Sequence, residues 1–166
     1  QHHAEMARRR VALTTVAYGA VSPEGRTFGD QLLVSADAGL ERVTDAVREA
    51  GGKTSIQLAH CGGFTKLPGR TPMGPSAGLN AYGIATGVPR IRKMKEADLK
   101  AVVQQFVDAA NVAAEAGFDA VELHLGHGYL LSQFWSPVFN HRKDAYGGDR
   151  EGRARLLLEV SRAVAA

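Results

Sequence analysis

An α/β fold with a parallel sheet is predicted by three features of the sequence. Strand-like and helix-like segments alternate along the chain, the alternation recurs at roughly 40-residue spacing, and no internal repeat or low-complexity tract interrupts it. Alternation of this kind is typical of βαβ units, in which a helix joins two parallel strands. Two architectures contain such units: a doubly wound open sheet and a (β/α)-barrel.

The first predicted strand covers residues 10–18, RVALTTVAY, which are largely β-branched or apolar. Proline and glycine follow in the stretch AVSPEGR, so we expect the strand to end near Tyr18. The first predicted helix covers residues 37–50, because its apolar side chains recur at helical spacing and two glycines follow it.

The second predicted strand, residues 53–60 (KTSIQLAH), has the two-residue period of a β-strand. Ile56 and Leu58 share one face, and Gln57 lies on the other. Residues 61–95 carry most of the prolines without any sustained period, so we predict a long irregular segment. Segments of this length inside compact domains are usually functional or mobile.

The strongest periodic pattern covers residues 96–116 and predicts an amphipathic helix that ends at Gly117. A third strand is predicted at residues 118–124, FDAVELH. A second irregular segment then precedes a last predicted helix over residues 151–164. Strand alternation places four side chains of the third strand on one face: Phe118, Ala120, Glu122 and His124.

Polar residues late in two strands favour a barrel over an open sheet. Gln57 and Glu122 lie opposite the apolar pairs Ile56/Leu58 and Val121/Leu123, which we expect to contact helices. The polar pair then converges on the carboxyl-end mouth, where barrel enzymes bind their substrates. Neither GxGxxG nor GxxxxGK[ST] follows the first strand, so a phosphate-binding loop is missing there. We therefore predict a partial (β/α)8 barrel of about three to four βα units, with the doubly wound sheet as the alternative.

Composition narrows the class of protein. The 166 residues are 45% hydrophobic and carry a formal charge of +3, which suits one folded globular domain and gives no indication of a nucleic-acid partner. Cys61 is the single cysteine and no apolar run is long enough to span a bilayer, so we expect a cytoplasmic protein without a membrane partner. The first residue is Gln, which indicates processing or a longer parent chain.

Two histidines and a tyrosine follow the third strand in the stretch FDAVELHLGHGY. His124 ends the strand, and His127 and Tyr129 lie in the glycine-rich turn after it. Two imidazoles above a strand end can donate two hydrogen bonds to one oxygen and so polarise a carbonyl or nitro group. A nearby phenol stays protonated at neutral pH and can donate a proton to an anionic carbon. The pattern predicts an electrophilic and acidic site.

Two other interpretations of the histidines remain open at this point. A histidine at a strand end often only forms a structural hydrogen bond. The pair could also bind a metal if Glu122, His141 or Cys61 supplied a third ligand, although no second ligand pair is visible.

The longest stretch, AGFDAVELHLGHGYLLSQFWSPVFNHRKDAYGGDREGRARLLLEV, resembles the Old Yellow Enzyme family of FMN-dependent NADH:flavin oxidoreductases and ene-reductases. The stretches AVSPEGR and SIQLAH resemble the second and third barrel strands of that family, in the same order. The resemblance runs from about residue 5 to the end of the chain, and its most specific part is NHRxDxYGG, from Asn140 to Gly148.

The resemblance implies a TIM barrel that binds FMN at its mouth, takes hydride from NADH or NADPH, and reduces an activated alkene or a related carbonyl or nitro compound. It implies that Gln57 binds the polar edge of the flavin, that His124 and His127 hold the oxygen of the acceptor, and that Tyr129 protonates the alkene carbon. Tyr18 is assigned to the flavin site, at a position where relatives generally carry a small residue. The full-length protein is expected to be a homo-oligomer that acts on a small molecule.

Two further positions depart from the family pattern: Gly63 replaces an arginine, and Gly152 replaces an asparagine. Length is the larger departure, because a complete (β/α)8 barrel needs about 250 residues. We therefore expect residues 1–166 to be a single incomplete barrel domain, with the first strand before Gln1 and the C-terminal half after Ala166. Family members with an iron–sulfur cluster bind it through cysteines that would follow Ala166. Residues 1–166 therefore do not decide whether the full-length protein has a cluster.

An incomplete barrel exposes strand edges, so we expect this stretch in isolation to bind FMN weakly. Two alternatives to the flavoenzyme remain. One is a different barrel enzyme with metal-assisted or Schiff-base chemistry, and the other is a catalytically inactive half-barrel that acts as an assembly or interaction module.

Overall fold

The computed structural model describes residues 1–166 and confirms an α/β fold with a parallel sheet. In chain order its helices and strands are α1 (His2–Arg8), β1 (Leu13–Ala20), α2 (Glu41–Glu49), β2 (Lys53–Ala59), β3 (Met73–Gly74), β4 (Gly78–Leu79), a 3₁₀ helix (Ala81–Thr86), β5 (Arg90–Lys93), α3 (Glu96–Glu115), β6 (Ala120–Leu123), α4 (Leu130–Trp135) and α5 (Arg150–Ala165).

The main sheet contains three parallel strands in the order β1-β2-β6. In the register of this sheet, Gln57 pairs with Glu122, and Leu58 pairs with Leu123. The pairing of β1 with β2 shifts between Val16 and Gly19, so two residues of β1, at 17 and 18, lie opposite Gln57 alone. This bulge falls where Tyr18 enters the site, and bulges beside active sites commonly redirect a side chain.

Helices cover one face of the sheet. Ile56 and Leu58 are fully buried there, beneath α3 and the helices packed beside it. Two apolar side chains of β6 were expected to contact helices. Leu123 is partly buried against the same core, whereas Val121 is 36% exposed. The core is completed by buried residues from α3 and α5: Leu99, Val102, Phe106, Ala109, Ala113, Leu156 and Val160.

The end of α3 corrects one predicted face. The Gly117 N–H donates to the carbonyl of Ala114 and the Phe118 N–H to that of Ala113, with Gly117 at φ +83°. This is a Schellman cap, in which the second residue past the helix is held against the helix. Phe118 therefore packs on the hydrophobic core, and β6 begins only at Ala120. The prediction that Phe118 shares a face with Glu122 is wrong.

The two irregular segments contain short elements that the sequence pattern did not predict. The segment between β2 and α3 folds into a small sheet, in the order β3-β5-β4, and the 3₁₀ helix. The segment after β6 contains α4, and the polar start of the chain forms α1. These elements span two to seven residues, which is too short for a periodic pattern to stand out.

Asp119, which directly precedes β6, links that strand to β2 at the amino end of the sheet. Its carboxylate accepts from the Lys53 ammonium at 2.7 Å and from the Thr54 backbone N–H at 2.9 Å. The predicted site residues lie towards the opposite, carboxyl end of the sheet: Tyr18 and Gln57 lie late in β1 and β2, and His124, His127 and Tyr129 follow β6. None of the helices has the length and apolar character required to cross a lipid bilayer.

Candidate active site

His124 lies directly after β6 and is fixed there by the sheet. Its backbone N–H donates to the Leu58 carbonyl at 2.9 Å, which continues the pairing of β2 with β6 by one residue. The side chain is 8% exposed. Burial lowers the pKa of His124 from its ordinary value of 6.5, and the neighbouring His127 lowers it further, so the ring is neutral at pH 7.

The turn after His124 places His127 beside it. His127 and Gly128 both take positive φ angles, 56° and 70°. A side chain at Gly128 would also lie 2.8 Å from the Phe64 ring, so this position requires glycine. His127, in contrast, is in a conformation that few residues with a side chain adopt. Such conformations are frequent at functional sites.

The two imidazoles contact each other directly. His127 Nδ1 lies 3.2 Å from His124 Nε2, and the ring centroids are 5.0 Å apart. The other nitrogens, His124 Nδ1 and His127 Nε2, have no hydrogen-bond partner in the chain. A neutral imidazole carries one N–H, so the mutual bond leaves the pair with one free N–H to donate. An acceptor oxygen that takes the place of the bond between the imidazoles can accept a hydrogen bond from the N–H of each ring.

Tyr129 forms hydrogen bonds to two other hydroxyl groups. Its phenolic oxygen lies 2.6 Å from that of Tyr18 and accepts from the Thr27 hydroxyl at 3.0 Å. Burial is the main cause that raises the pKa of Tyr129 to about 12; the Tyr18 hydrogen bond acts in the same direction and the Thr27 bond opposes it. The phenol therefore keeps its proton throughout the neutral range.

Tyr18 contacts His124 as well as Tyr129. Its ring stacks on that of His124 at 6.1 Å with an interplanar angle of 16°. It also meets the Tyr129 ring edge-on at 5.4 Å. The bulge in β1 thus brings a large aromatic side chain into the centre of the site.

Gln57 lies on the open face of the sheet, away from the helices. Its amide Nε2 donates to Glu122 Oε1 at 2.5 Å, which leaves its carbonyl oxygen and one N–H without a partner. The strand positions around it carry small side chains: Ala17, Ser55 and Ala120. The amide forms no hydrogen bond with the histidines or with Tyr129.

A cavity of about 280 Å³ opens beside His127 and Tyr129. Thr27 and Lys66 also line it. The Phe64 and Tyr82 rings pack 4.9 Å apart on its wall. The remaining wall is aromatic and consists of Tyr18 and Phe28.

Gln133 joins the two loops that build the site, although nothing in the sequence singled it out. This buried side chain on α4 accepts from the Gly63 N–H at 3.0 Å and donates to the carbonyls of Cys61 and Gly128 at 3.0 and 2.6 Å. The loop after β2 and the turn after β6 are thereby held in one arrangement. A polar residue inside the apolar run LLSQFW was the available signal.

The side chains considered as a third metal ligand do not join the two histidines. Cys61 is buried with its thiol directed at the Arg26 carbonyl, and burial raises its pKa to about 12. His141 lies against Ser76 through its backbone N–H. No three His, Cys, Asp or Glu side chains come close enough to bind one ion.

The structure thus gathers four of the five predicted site residues in one cluster: Tyr18, His124, His127 and Tyr129. Gln57 lies nearby, opposite the bulge that carries Tyr18. Sequence reasoning missed Thr27, Lys66 and Gln133, because their contacts join segments far apart in the chain.

Comparison with known proteins gives one consistent result. The sequence profile of the NADH:flavin oxidoreductase / NADH oxidase family matches residues 1–166. A 4,4'-dithiodibutanoate disulfide reductase of Rhodococcus erythropolis is 45% identical over 168 residues, covering 98% of this chain and 40% of that protein. An NADPH dehydrogenase of Bacillus subtilis is 41% identical, covering 96% and 46%. The chain therefore spans less than half the length of these relatives.

Solved structures agree with the sequence matches. Old Yellow Enzyme from Pichia sp. AKU4542 superposes with a TM-score of 0.91 at 29% identity, over 98% of this chain and 46% of that one. Morphinone reductase in complex with tetrahydroNAD superposes with a TM-score of 0.87 at 30% identity, over 98% and 50%.

Proposed function

The chain belongs to the NADH:flavin oxidoreductase / NADH oxidase family, and from this membership we propose that it forms part of an FMN-dependent oxidoreductase. The reaction takes hydride from NADH or NADPH and delivers it through FMN to an activated alkene or a related carbonyl or nitro acceptor. The fold is a partial TIM barrel. We propose that residues 1–166 form a single incomplete barrel domain that carries the acceptor-binding side of the site.

The observation that carries this proposal is the meeting of His124, His127 and Tyr129 at the carboxyl ends of parallel strands. The imidazole N–H groups are placed to hold an acceptor oxygen and stabilise negative charge that develops on it. The Tyr129 phenol, protonated up to a pKa of about 12, is the acid beside them. An electrophile and an acid around one cavity suit reduction of a double bond conjugated to an oxygen.

The donor set also fits the cofactor. Gln57 has a free amide oxygen and a free N–H, which match the alternating acceptors and donors on the polar edge of a flavin. The small side chains Ala17 and Ala120 flank it and leave room for a flat ring. We propose that Gln57 holds this edge and that Tyr18 borders the flavin site. When bound, FMN supplies hydride chemistry that no side chain provides.

Tyr129 completes the reduction by giving its proton to the alkene carbon that does not receive hydride. Either hydroxyl of the Tyr18–Tyr129 pair can be the donor. When Tyr129 donates to Tyr18, the proton is held inside the cluster. When Tyr18 and Thr27 both donate to Tyr129, the proton of Tyr129 is free to point into the cavity. One NAD(P)H and one solvent proton are consumed for each alkene reduced.

The test is isotope tracing with the full-length protein loaded with FMN. With 2-cyclohexenone as acceptor, deuterated NADPH should place one deuterium on the β-carbon, and D₂O should place one on the α-carbon. The acceptor panel includes 4,4'-dithiodibutanoate, because a relative is named for that disulfide. A full-length protein that binds no flavin and oxidises NAD(P)H with none of these acceptors would show that the proposal is wrong.

A further inference from the structure

The cavity beside His127 and Tyr129 carries one permanent charge, and it is positive. Lys66 lines the cavity, and no acidic side chain does. Lys66 forms no ion pair with any carboxylate of the chain. Its ammonium lies 5.9 Å from the centre of the Tyr82 ring, so it is held over the aromatic wall. Such cation–aromatic contacts keep a lysine in place while leaving its N–H donors available.

The rest of the cavity is shaped for a flat ring. Phe64 and Tyr82 lie 4.9 Å apart, and Phe139 packs edge-on against Phe64 at 5.5 Å from behind. Aromatic walls of this kind favour planar, polarisable ligands. Ligand cavities in proteins commonly have volumes of about 300 to 1,000 Å³. A cavity of about 280 Å³ therefore suits a single substituted ring.

Two kinds of polar group line the cavity. His127, beside the Tyr129 acid, offers a hydrogen-bond donor for a carbonyl oxygen, and Lys66 offers a cation that no other group neutralises. A ligand that satisfies both has an oxygen conjugated to the reacting double bond and a carboxylate on another part of the molecule. Because Lys66 is exposed, it attracts a carboxylate through its charge alone, and a neutral ligand of the same shape gains no such attraction.

We propose that Lys66 makes this site selective for anionic acceptors, namely aromatic enals or enones that carry a carboxylate. This inference rests on the proposed reaction and adds the substrate class to it. Lys66 acts as a specificity residue, because it contacts the carboxylate and takes no part in hydride or proton transfer.

The experiment compares two acceptors of nearly equal shape in the full-length, FMN-loaded protein. One is 4-carboxycinnamaldehyde, and the other is its neutral amide, 4-carbamoylcinnamaldehyde. We expect kcat/KM to favour the carboxylate by about fivefold to tenfold at low salt, as for one partly exposed ion pair. The preference should shrink as ionic strength rises. Lys66→Met should reduce the preference to about one, and Lys66→Glu should reverse it.

A second arm measures binding alone. Equilibrium titration with 4-formylbenzoate and with 4-formylbenzamide, which have no alkene to reduce, should show the same preference and the same loss in Lys66→Met. Lys100→Met is the matched control, because Lys100 is an exposed lysine on α3 that pairs only with Glu96 and does not line the cavity. It should keep the wild-type preference.

The outcomes separate the two proposals. Absence of turnover with both cinnamaldehydes contradicts the proposed reaction, while the binding arm still decides the role of Lys66. Equal kcat/KM and equal affinity for the charged and neutral members of each pair contradict the anionic substrate class and leave the reaction standing. A preference that persists in Lys66→Met also overturns the assignment, since another group would then bind the carboxylate.

Discussion

The hydroxyl groups of Tyr18 and Tyr129 lie 2.6 Å apart, although the two residues are 111 positions apart in the chain. The contact joins the end of the first strand to the turn that follows the third strand of the same sheet. Through it, the proton on Tyr129 can be held or released by reorientation of one neighbouring hydroxyl group. Several measurable properties of the site depend on this pair.

Tyr129→Phe should lower the rate of alkene reduction by about 10² to 10⁴-fold, the usual contribution of a positioned acid. Flavin reduction by NAD(P)H should be unaffected, because Tyr129 donates its proton only when the acceptor is reduced. Stopped-flow measurement of the two half-reactions separates these effects. Reduction of a quinone, whose oxygens take protons from water, is the internal control; an equal loss with both acceptors would contradict the role of Tyr129 as acid.

Tyr18→Phe should have a smaller effect of a different kind. Loss of one hydrogen bond to Tyr129 should slow alkene reduction by about fivefold to tenfold. Because the Tyr18 hydroxyl helps to raise the pKa of Tyr129, the falling limb of the pH–rate profile should move to lower pH. Tyr146→Phe is the matched control, since Tyr146 hydrogen-bonds Glu159 away from the site. A profile that keeps its wild-type limb in Tyr18→Phe would show that the contact does not tune the acid.

His60 should make the protein less stable as the pH falls below about 6.5. Burial lowers the pKa of His60 to about 4, and its Nε2 has no hydrogen-bond partner. The unfolded chain therefore binds a proton that the folded chain does not, so the free energy of unfolding falls as pH drops from 6.5 towards 4. We expect His60 to account for about 2 kcal/mol of the loss between pH 7 and pH 5.

The control for this prediction is His60→Asn, whose side-chain oxygen can accept from the Gly62 N–H as His60 Nδ1 does at 2.9 Å. Urea unfolding at pH 7 and pH 5 should show a much smaller pH-dependent loss in the variant. Parallel losses in both proteins would assign the acid sensitivity to other groups, such as the hydrogen-bonded carboxylate of Asp144.

Gln133→Leu should destabilise the protein by about 3 kcal/mol, because it leaves the Gly63 N–H and the Gly128 carbonyl without a partner and removes one of the two hydrogen bonds to the Cys61 carbonyl. Gln104→Leu is the matched control on α3, where the amide is exposed and bonds only to Asp108. It should change the free energy of unfolding by no more than about 0.5 kcal/mol. Chemical denaturation at pH 7 measures the free energy of unfolding of both variants. Similar losses in the two variants would show that the Gln133 hydrogen bonds between the loops do not stabilise the protein.

Local pattern was sufficient to predict the long elements. The two-residue period around Gln57 and the helical period over residues 96–116 correspond to β2 and α3. The three main helices and three main strands are confirmed, and their ends differ from the predicted ones by zero to four residues. The first strand continues to Ala20, past the bulge, because backbone pairing with β2 resumes after Tyr18.

Other features depend on contacts that a linear pattern does not contain. The two-residue period predicts a strand face for Phe118, yet the cap at Gly117 turns it onto the core. The convergence of His124, His127 and Tyr129 was predictable, since they follow one strand within six residues. The contributions of Thr27 and Lys66 were not, because each reaches the site from a segment without any period.

The hydrogen bonds through which Gln133 links the two loops have a consequence for protein engineering. Loops at the mouth of a barrel are often exchanged one at a time to change what an enzyme accepts. Here the side-chain amide of Gln133 donates to the carbonyls of both Cys61 and Gly128, so the two loops form one structural unit. A graft that transfers either segment to another scaffold should carry α4 with it, or the imported histidines will lose their alignment.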